Sequence, residues 1–172
     1  MEGLPELVAR RLMPPKKIQL SRPRAAAIGI CAIGAILILL ALLPGIIYFT
    51  GLFYITGRPA FAQTCQLNSA QKLAVWRAHG ENENDISVRA MNPWAFAAKF
   101  NSEILSEHYA GERASWFIAR NHNITHLGNR RMAWWHVSGA ALTIWPTRHW
   151  TAEQLLCKAN EIRAQREATI EN

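Results

Sequence analysis

Residues 24–56 read RAAAIGICAIGAILILLALLPGIIYFTGLFYIT, an apolar stretch without a charged residue after Arg24. From Ala25 to Gly57 the chain has 33 consecutive residues without Asp, Glu, Lys, Arg or His. About 20 apolar residues in a helix already cross the hydrocarbon core of a bilayer. The stretch therefore predicts a transmembrane anchor over residues 25–56, as a helix from near Ala25 to about Phe49 or slightly beyond. The rings of Tyr48, Phe53 and Tyr54 would then lie in the outer headgroup layer.

The charges on either side of the anchor predict its orientation. Residues 1–24 hold six Lys and Arg against two Glu, a net charge of +4, whereas residues 58–172 carry only +3. The more basic flank of a single span stays in the cytoplasm. We therefore expect residues 1–24 to be a cytoplasmic tail and residues 58–172 to be an exported domain.

The overall composition excludes two other classes of protein. Half of the residues are apolar and 18% are charged, which is not the composition of a disordered chain. The sequence pI of 9.8 comes largely from the tail and not from a basic face of the domain, so we expect no nucleic-acid partner. The 115 residues after Gly57 suffice for one small domain and not for two.

A cleaved secretory signal is the alternative to an anchor. Ala60, Phe61 and Ala62 form an Ala-x-Ala pattern of the kind that signal peptidases cleave. However, the apolar run is much longer than the roughly 7 to 15 apolar residues of a signal peptide. The domain leaves the cytoplasm in either case.

Two of the three cysteines lie in the exported part. In an oxidising compartment Cys65 and Cys157 could pair and tie the two ends of the domain together, and two separate buried thiols are the alternative. Cys31 lies in the apolar run, where it serves as a small packing residue.

The exported domain has helical patterns throughout, so the predicted fold is all-α. Asn92 and Pro93 mark a helix start, Pro146 should end a helix, and Thr151 with Gln154 forms a capping box. The tail from residue 161 is polar enough to fray. The predicted helices run from Ser69 to about His79, from Asn92 to about His108, from Glu112 to about Asn121, from Asn129 to Trp145, and from Thr151 onward.

Four histidines raise the question of a metal. His122 and His126 are four residues apart, a spacing that can ligate a transition metal on a helix, and His136 and His149 follow. No Glu follows His122, as the metalloprotease pattern would require. Surface or partly buried histidines are the simpler interpretation, and we assign no metal and no other cofactor.

The order of three segments resembles the family 51 glycosyltransferases, which are peptidoglycan transglycosylases. Residues 131–156, RMAWWHVSGAALTIWPTRHWTAEQLL, resemble the family's third and fourth motifs. Residues 111–121, GERASWFIARN, resemble its Gly-Gly-Ser-Thr-Ile-Thr-Gln-Gln-Leu-x-Lys-Asn motif, and residues 82–94, NENDISVRAMNPW, have the spacing of its first motif. The resemblance covers roughly residues 75–160 and lies in order and spacing more than in identity.

This resemblance implies a small, helical, lysozyme-like domain and a particular chemistry. A catalytic Glu in the first motif deprotonates the acceptor sugar hydroxyl, and cations hold the donor pyrophosphate. The position of that Glu is Asn82 here, so Glu81 and Glu83 on either side are the candidate catalytic residues. The candidate residues for binding the substrate phosphates are Arg120, Arg130 and Arg131.

The sequence departs from the family where the chemistry should be. The Arg-Lys-x-x-Glu of the third motif becomes residues 135–139, which carry no Glu and no Arg-Lys pair. We therefore expect a bacterial inner-membrane protein whose periplasmic domain binds lipid-linked glycan, peptidoglycan or a cell-wall partner, with glycosyl transfer lost or reduced. Any activity that survives would be peptidoglycan glycosyl transfer. The alternatives are a non-enzymatic membrane-anchored adaptor or assembly subunit of an envelope or secretion complex, and a metal-binding domain built on His122 and His126.

Overall fold

The computed structural model describes residues 22–62, 64–81, 86–101, 109–128 and 132–170, and every regular element within them is an α-helix. The helices are α1 (Arg22–Tyr54), α2 (Ser69–Ala78), α3 (Pro93–Asn101), α4 (Glu112–His126), α5 (Met132–His149) and α6 (Ala152–Ile170). The predicted all-α fold, with one N-terminal helix long and apolar enough to span a membrane, is confirmed.

The chain divides into two compact units within α1, after Leu40. In the first unit, the residues from Ala26 onward are exposed apart from the partly buried Gly34. In the second unit, α1 buries Gly45, Tyr48 and Gly51, which recur every three residues and so form one face, and Ile55 is buried directly after the helix ends. The end of the membrane helix therefore belongs to the core of the helical domain. Of the three rings expected in the headgroup layer, that of Tyr48 is buried in this core, whereas those of Phe53 and Tyr54 are exposed.

Small residues bring α1 close to α5. A Cβ atom on Gly51 would lie only 2.5 Å from the Val137 carbonyl oxygen, so glycine alone fits there. The ring of Tyr54 stacks on Trp134 at the start of α5, with 4.0 Å between centroids, whereas Tyr48 packs against Ala141 and Ile144 further along that helix. The two helices therefore run antiparallel.

Helices α2, α4 and α6 form the other main cluster of buried side chains. Its largest members are Trp76 of α2, Ile118 of α4, and Leu155 and Leu156 of α6. The predicted disulfide is confirmed, since Cys65 bonds to Cys157 of α6 with 5.6 Å between the two Cα atoms. The bond ties the segment after α1 to this cluster.

The prediction that Pro146 ends α5 is wrong, because the helix continues to His149. Pro146 lies in the last turn of the helix, where only one helical hydrogen bond is lost. The Thr147 hydroxyl donates to the Ile144 carbonyl at 2.7 Å, and the Trp150 amide donates to the Pro146 carbonyl at 2.9 Å. These bonds hold the final turn in helical geometry.

One other helix ends later than predicted, and another has its cap at Asn68 and not at the expected Ser69. Helix α4 continues past Asn121 to His126, which places His122 and His126 on one helix. Helix α2 is capped by Asn68 in a capping box with Gln71.

The two ends of the last helix bear on the remaining predictions. The predicted capping box of α6 is confirmed by reciprocal bonds between Thr151 and Gln154 of 2.9 and 3.2 Å. Helix α6 then continues through the predicted fraying tail to Ile170. The predicted extension of α3 over residues 102–108 lies outside the described residues.

Candidate functional site at the end of the membrane helix

Helices α1, α3 and α5 enclose an apolar cavity of about 140 Å³, hereafter the apolar groove. Its lining is almost free of polar atoms, apart from the Tyr48 side chain. The lining residues are Pro44, Ile47 and Tyr48 of α1, Pro93, Phe96 and Ala97 of α3, and Ala140, Ala141 and Ile144 of α5. Such a surface suits a hydrocarbon chain and not a sugar.

Helix α3, which forms one wall of the groove, is held to α1 near Pro44. Pro44 has no amide hydrogen for the helical bond to the preceding turn. In that turn the Trp94 indole donates a hydrogen bond to the Ala41 carbonyl, with 2.7 Å between Nε1 and O. Gly45 leaves room for the ring, since a Cβ there would lie 3.3 Å from Trp94 Cη2. Trp94 thus anchors the first turn of α3 on the membrane helix.

The segment before α3 is fixed to the end of α5. The Met91 amide donates to Thr147 Oγ1 at 3.1 Å, and Arg148 Nη1 donates to the Met91 carbonyl at 3.4 Å. Met91 is fully buried beside Tyr48. The exposed Arg148 follows the groove residue Ile144 by one helical turn, and its positive charge acts on the groove residue Tyr48, so the charge lies near the groove.

Glu81, a candidate catalytic residue, is buried at the start of α4. Its carboxylate accepts hydrogen bonds from the backbone amides of Arg113 at 2.8 Å and Ala114 at 3.4 Å. The N-cap residue Gly111 has a φ of 85° and no side chain, so the carboxylate supplies the missing cap from another segment. The geometry therefore gives Glu81 a structural role, and its catalytic role stays a prediction.

The capping role predicts a specific loss of stability. We expect Glu81→Ala to lower the free energy of unfolding by about 1–2 kcal/mol, since it removes an anionic cap from a helix N-terminus. Thermal unfolding in detergent, followed by far-UV circular dichroism, measures this change. Glu167→Ala is the control, because Glu167 pairs with Arg163 on the exposed face of α6 and caps no helix start described here. Equal melting temperatures for Glu81→Ala and the wild type would refute the capping role.

Of the candidate phosphate-binding residues, the described part of the chain includes only Arg120, and the structure does not bring it next to Glu81. Arg120 is exposed on α4, with its guanidinium carbon 5.5 Å from the centre of the Trp116 ring. It lies about two helical turns after Arg113, where the Glu81 carboxylate binds. Glu83, Arg130 and Arg131 lie outside the described residues.

The four histidines are separated into three places. His122 and His126 share one face of α4, where their rings stack with 4.0 Å between centroids. His136 is exposed beside Trp135, and His149 stacks on Trp145. Within the described ranges, no group of three or more His, Cys, Asp or Glu side chains could hold a metal ion.

The apolar groove was not predicted from the sequence, although two features of the sequence are consistent with it. The uncharged run of 33 residues is longer than a bilayer needs, so some of it was available for packing inside the domain. Gly45 and Gly51 recur on the face of Tyr48, the pattern of small residues that permits close helix contacts.

No protein-family model, curated protein or solved structure matches this chain. The resemblance to the family 51 glycosyltransferases therefore rests on the quoted motifs alone.

Proposed function

We propose that this protein is a single-pass inner-membrane protein that binds a lipid-linked glycan at the periplasmic surface of the bilayer and does not transfer sugars. The apolar groove between α1, α3 and α5 carries the proposal, because the helix that forms one of its walls is also the membrane helix. A lipid chain could therefore pass from the bilayer into the groove without crossing water.

The position of the groove along α1 supports a ligand that arrives from the membrane. Pro44 follows the basic residue Arg24 by 20 residues, and 20 helical residues rise about 30 Å, the thickness of the hydrocarbon core. With Arg24 at the inner surface, the groove lies at the outer boundary of the hydrocarbon. The half-exposed Trp94 suits the same level, where indole rings concentrate.

A cation at the rim supports a phosphate-bearing lipid. The Arg148 guanidinium group is exposed near the groove, and an arginine can bind a phosphate with two parallel hydrogen bonds. The diphosphate of a lipid-linked glycan joins its hydrocarbon chain to its sugar. The lipid chain would occupy the groove while Arg148 holds the diphosphate and the sugar remains in the periplasm.

The packing of α4 against α5 supports the loss of transferase activity. In the resembling motif, Gly139 takes the position of a Glu, and a Cβ atom here would lie 3.3 Å from Asn123 Nδ2. The buried Asn123 side chain donates to the Trp135 carbonyl at 3.0 Å. A glutamate at residue 139 would displace this bond. The carboxylate of Glu81, a candidate catalytic residue, is engaged in capping α4, which also supports this loss.

Filling the groove should abolish binding. We expect Ala97→Phe to weaken binding of a fluorescent undecaprenyl-diphosphate disaccharide at least tenfold, because the new ring occupies the space of the lipid chain. Binding is measured by fluorescence polarisation with the detergent-solubilised full chain. Ala98→Phe is the matched control, since Ala98 is the exposed neighbour of Ala97 and does not line the groove.

The same lipid tests each part of the proposal. Formation of glycan polymer by the wild-type protein would contradict the loss of transferase activity. Equal affinities of Ala97→Phe and Ala98→Phe would contradict the role of the groove. An absence of binding by the wild type would contradict the proposed function and favour the alternative of an adaptor.

A further inference from the structure

A second cavity, separate from the apolar groove, lies beside the far end of α4. It has a volume of about 250 Å³ and is bounded by the segment after α1, by α4 and by α6. We call it the basic cavity, because the described residues that line it include the cations Arg58 and Lys158 and no Asp or Glu. His122 and His126 line it too, about 10 residues along α4 from the Glu81 cap. The proposed function above makes no use of this cavity.

Both cations of the basic cavity act on His122. Arg58 comes from the segment after α1, Lys158 from α6, and His126 from the next turn of α4. All three lie close enough to disfavour a positive charge on the His122 imidazole. Lys158 pairs with Glu161 at 2.9 Å, whereas no described acidic side chain lines the cavity to offset Arg58.

His122 has an incomplete set of hydrogen bonds. Its side chain is only 8% exposed, and its Nε2 atom has no hydrogen-bond partner among the described residues. The ring also bonds to the backbone of Thr56, and this bond raises its pKa, so the Thr56 carbonyl accepts from the other ring nitrogen, Nδ1. A buried polar atom without a partner is rare in folded proteins and often marks the place of an absent ligand.

The free cavity keeps His122 neutral. Burial, and then the charges of His126, Arg58 and Lys158, lower the pKa of His122 to about 4, and the Thr56 bond only partly offsets them. At neutral pH the Nδ1 hydrogen is therefore used by Thr56, and Nε2 presents an unused lone pair. A bound anion would reverse this balance, because its charge offsets the two cations and favours the imidazolium form.

We propose that the basic cavity binds a tetrahedral oxyanion of the sulfate or phosphate type, and that His122 takes up one proton when the anion binds. In the bound state Arg58 and Lys158 provide the positive charge. The imidazolium donates from Nδ1 to the Thr56 carbonyl and from Nε2 toward the anion, so both of its hydrogens are used. A metal ion fits less well, since the same two cations would repel it.

Proton uptake makes the affinity for the anion depend on pH. An anion that favours the protonated imidazole must bind more tightly as the pH falls, by thermodynamic linkage. If the bound anion returns the pKa of His122 to its ordinary value of 6.5, the affinity rises about eightfold between pH 7.0 and 5.5. Sulfate is the suitable probe, because it does not itself titrate in this range.

Calorimetric titration of the purified full chain with sodium sulfate tests the proposal. Titrations in two buffers of different ionisation enthalpy at pH 5.5 and 7.0 give both the affinity and the number of protons taken up. We expect one site and tighter binding at pH 5.5. With a bound-state pKa of 6.5, the uptake is about 0.2 proton at pH 7.0 and about 0.9 proton at pH 5.5, and it falls again as the pH approaches the pKa of the free imidazole. Sulfate binding without proton uptake at pH 5.5, or the same affinity at both pH values, would overturn the role of His122.

Two variants localise the site. Arg58→Gln combined with Lys158→Gln should weaken sulfate binding at least tenfold, whereas Arg163→Gln should not change it. Arg163 is an exposed cation of α6 that does not line the basic cavity. Tight binding by the double variant, or no sulfate binding by the wild type, would overturn the site itself. The far-UV spectrum of the double variant shows whether it is folded.

The source of the oxyanion is resolved by repeating the titration in nanodiscs. Arg58 lies four residues after the end of α1, so a lipid phosphate or a soluble anion could reach the cavity. For each protein we compare sulfate affinity in phosphatidylglycerol nanodiscs with that in phosphatidylcholine nanodiscs. A larger loss of affinity in phosphatidylglycerol for the wild type than for the double variant would support a lipid headgroup at the site. Equal binding in the two lipids would support a soluble anion. Because the lipid-linked glycan is absent from these titrations, their outcome is independent of the proposed function.

Discussion

Replacing Gly51 by leucine should lower the free energy of unfolding of the domain by about 3 kcal/mol, the upper part of the usual range for overpacking a core. A Cβ atom at this position would meet the Val137 carbonyl oxygen at 2.5 Å and the Ala141 Cβ at 2.8 Å. Neither atom is the end of a flexible side chain, so α1 and α5 must move apart. The separation would also open the apolar groove, since both helices line it.

Thermal unfolding in detergent, followed by tryptophan fluorescence, measures this effect. For a domain of this size 3 kcal/mol corresponds to a fall of about 10 °C in melting temperature. Gly34→Leu is the control in the same helix, because a Cβ atom on Gly34 has no neighbour within 4 Å. A Gly51→Leu protein that melts with the Gly34→Leu protein would show that α1 does not pack on α5 as described.

Loss of the disulfide should have an effect of similar or larger size. Cys65 and Cys157 are 92 residues apart, and a crosslink that closes a loop of about 100 residues stabilises a protein by about 4.7 kcal/mol in the chain-entropy model. We expect the double variant Cys65→Ser with Cys157→Ser to melt well below the wild type. It should also resemble the wild type treated with reductant.

The remaining cysteine is the control for this experiment. Cys31 is free and exposed on α1, so Cys31→Ser should leave both the melting temperature and the response to reductant unchanged. On a non-reducing gel the wild type should migrate faster than its reduced form. A wild-type protein whose mobility and melting temperature ignore reductant would contradict the bond.

Local sequence rules predicted the elements whose cause is local. The uncharged run gave the membrane helix, and the Thr151–Gln154 pair gave the start of α6, because length and capping chemistry act over a few residues. The end of α4 was missed because His122 to His126 includes poor helix formers. Packing of the buried Asn123 and Leu127 in the domain core outweighs that preference.

The candidate sites depended on contacts between distant segments and so were harder to predict. Glu81 was selected from its position in a motif, yet its role as a cap follows from the fold that places it at α4. The apolar groove needs Pro44, Phe96 and Ile144 to meet, and the basic cavity needs Arg58 to approach Lys158. The spacing of residues within one segment cannot predict contacts between residues on different helices.

In the proposed topology α1 crosses the membrane, and its outer end is part of a domain on the periplasmic side. The most direct test is a pair of reporters fused after Asn172, alkaline phosphatase in one strain and green fluorescent protein in the other. We predict active phosphatase and no fluorescence in a bacterial host. Alkaline phosphatase becomes active only in the periplasm, whereas green fluorescent protein becomes fluorescent only if it folds in the cytoplasm. A fluorescent fusion with inactive phosphatase would place the domain in the cytoplasm and contradict the account.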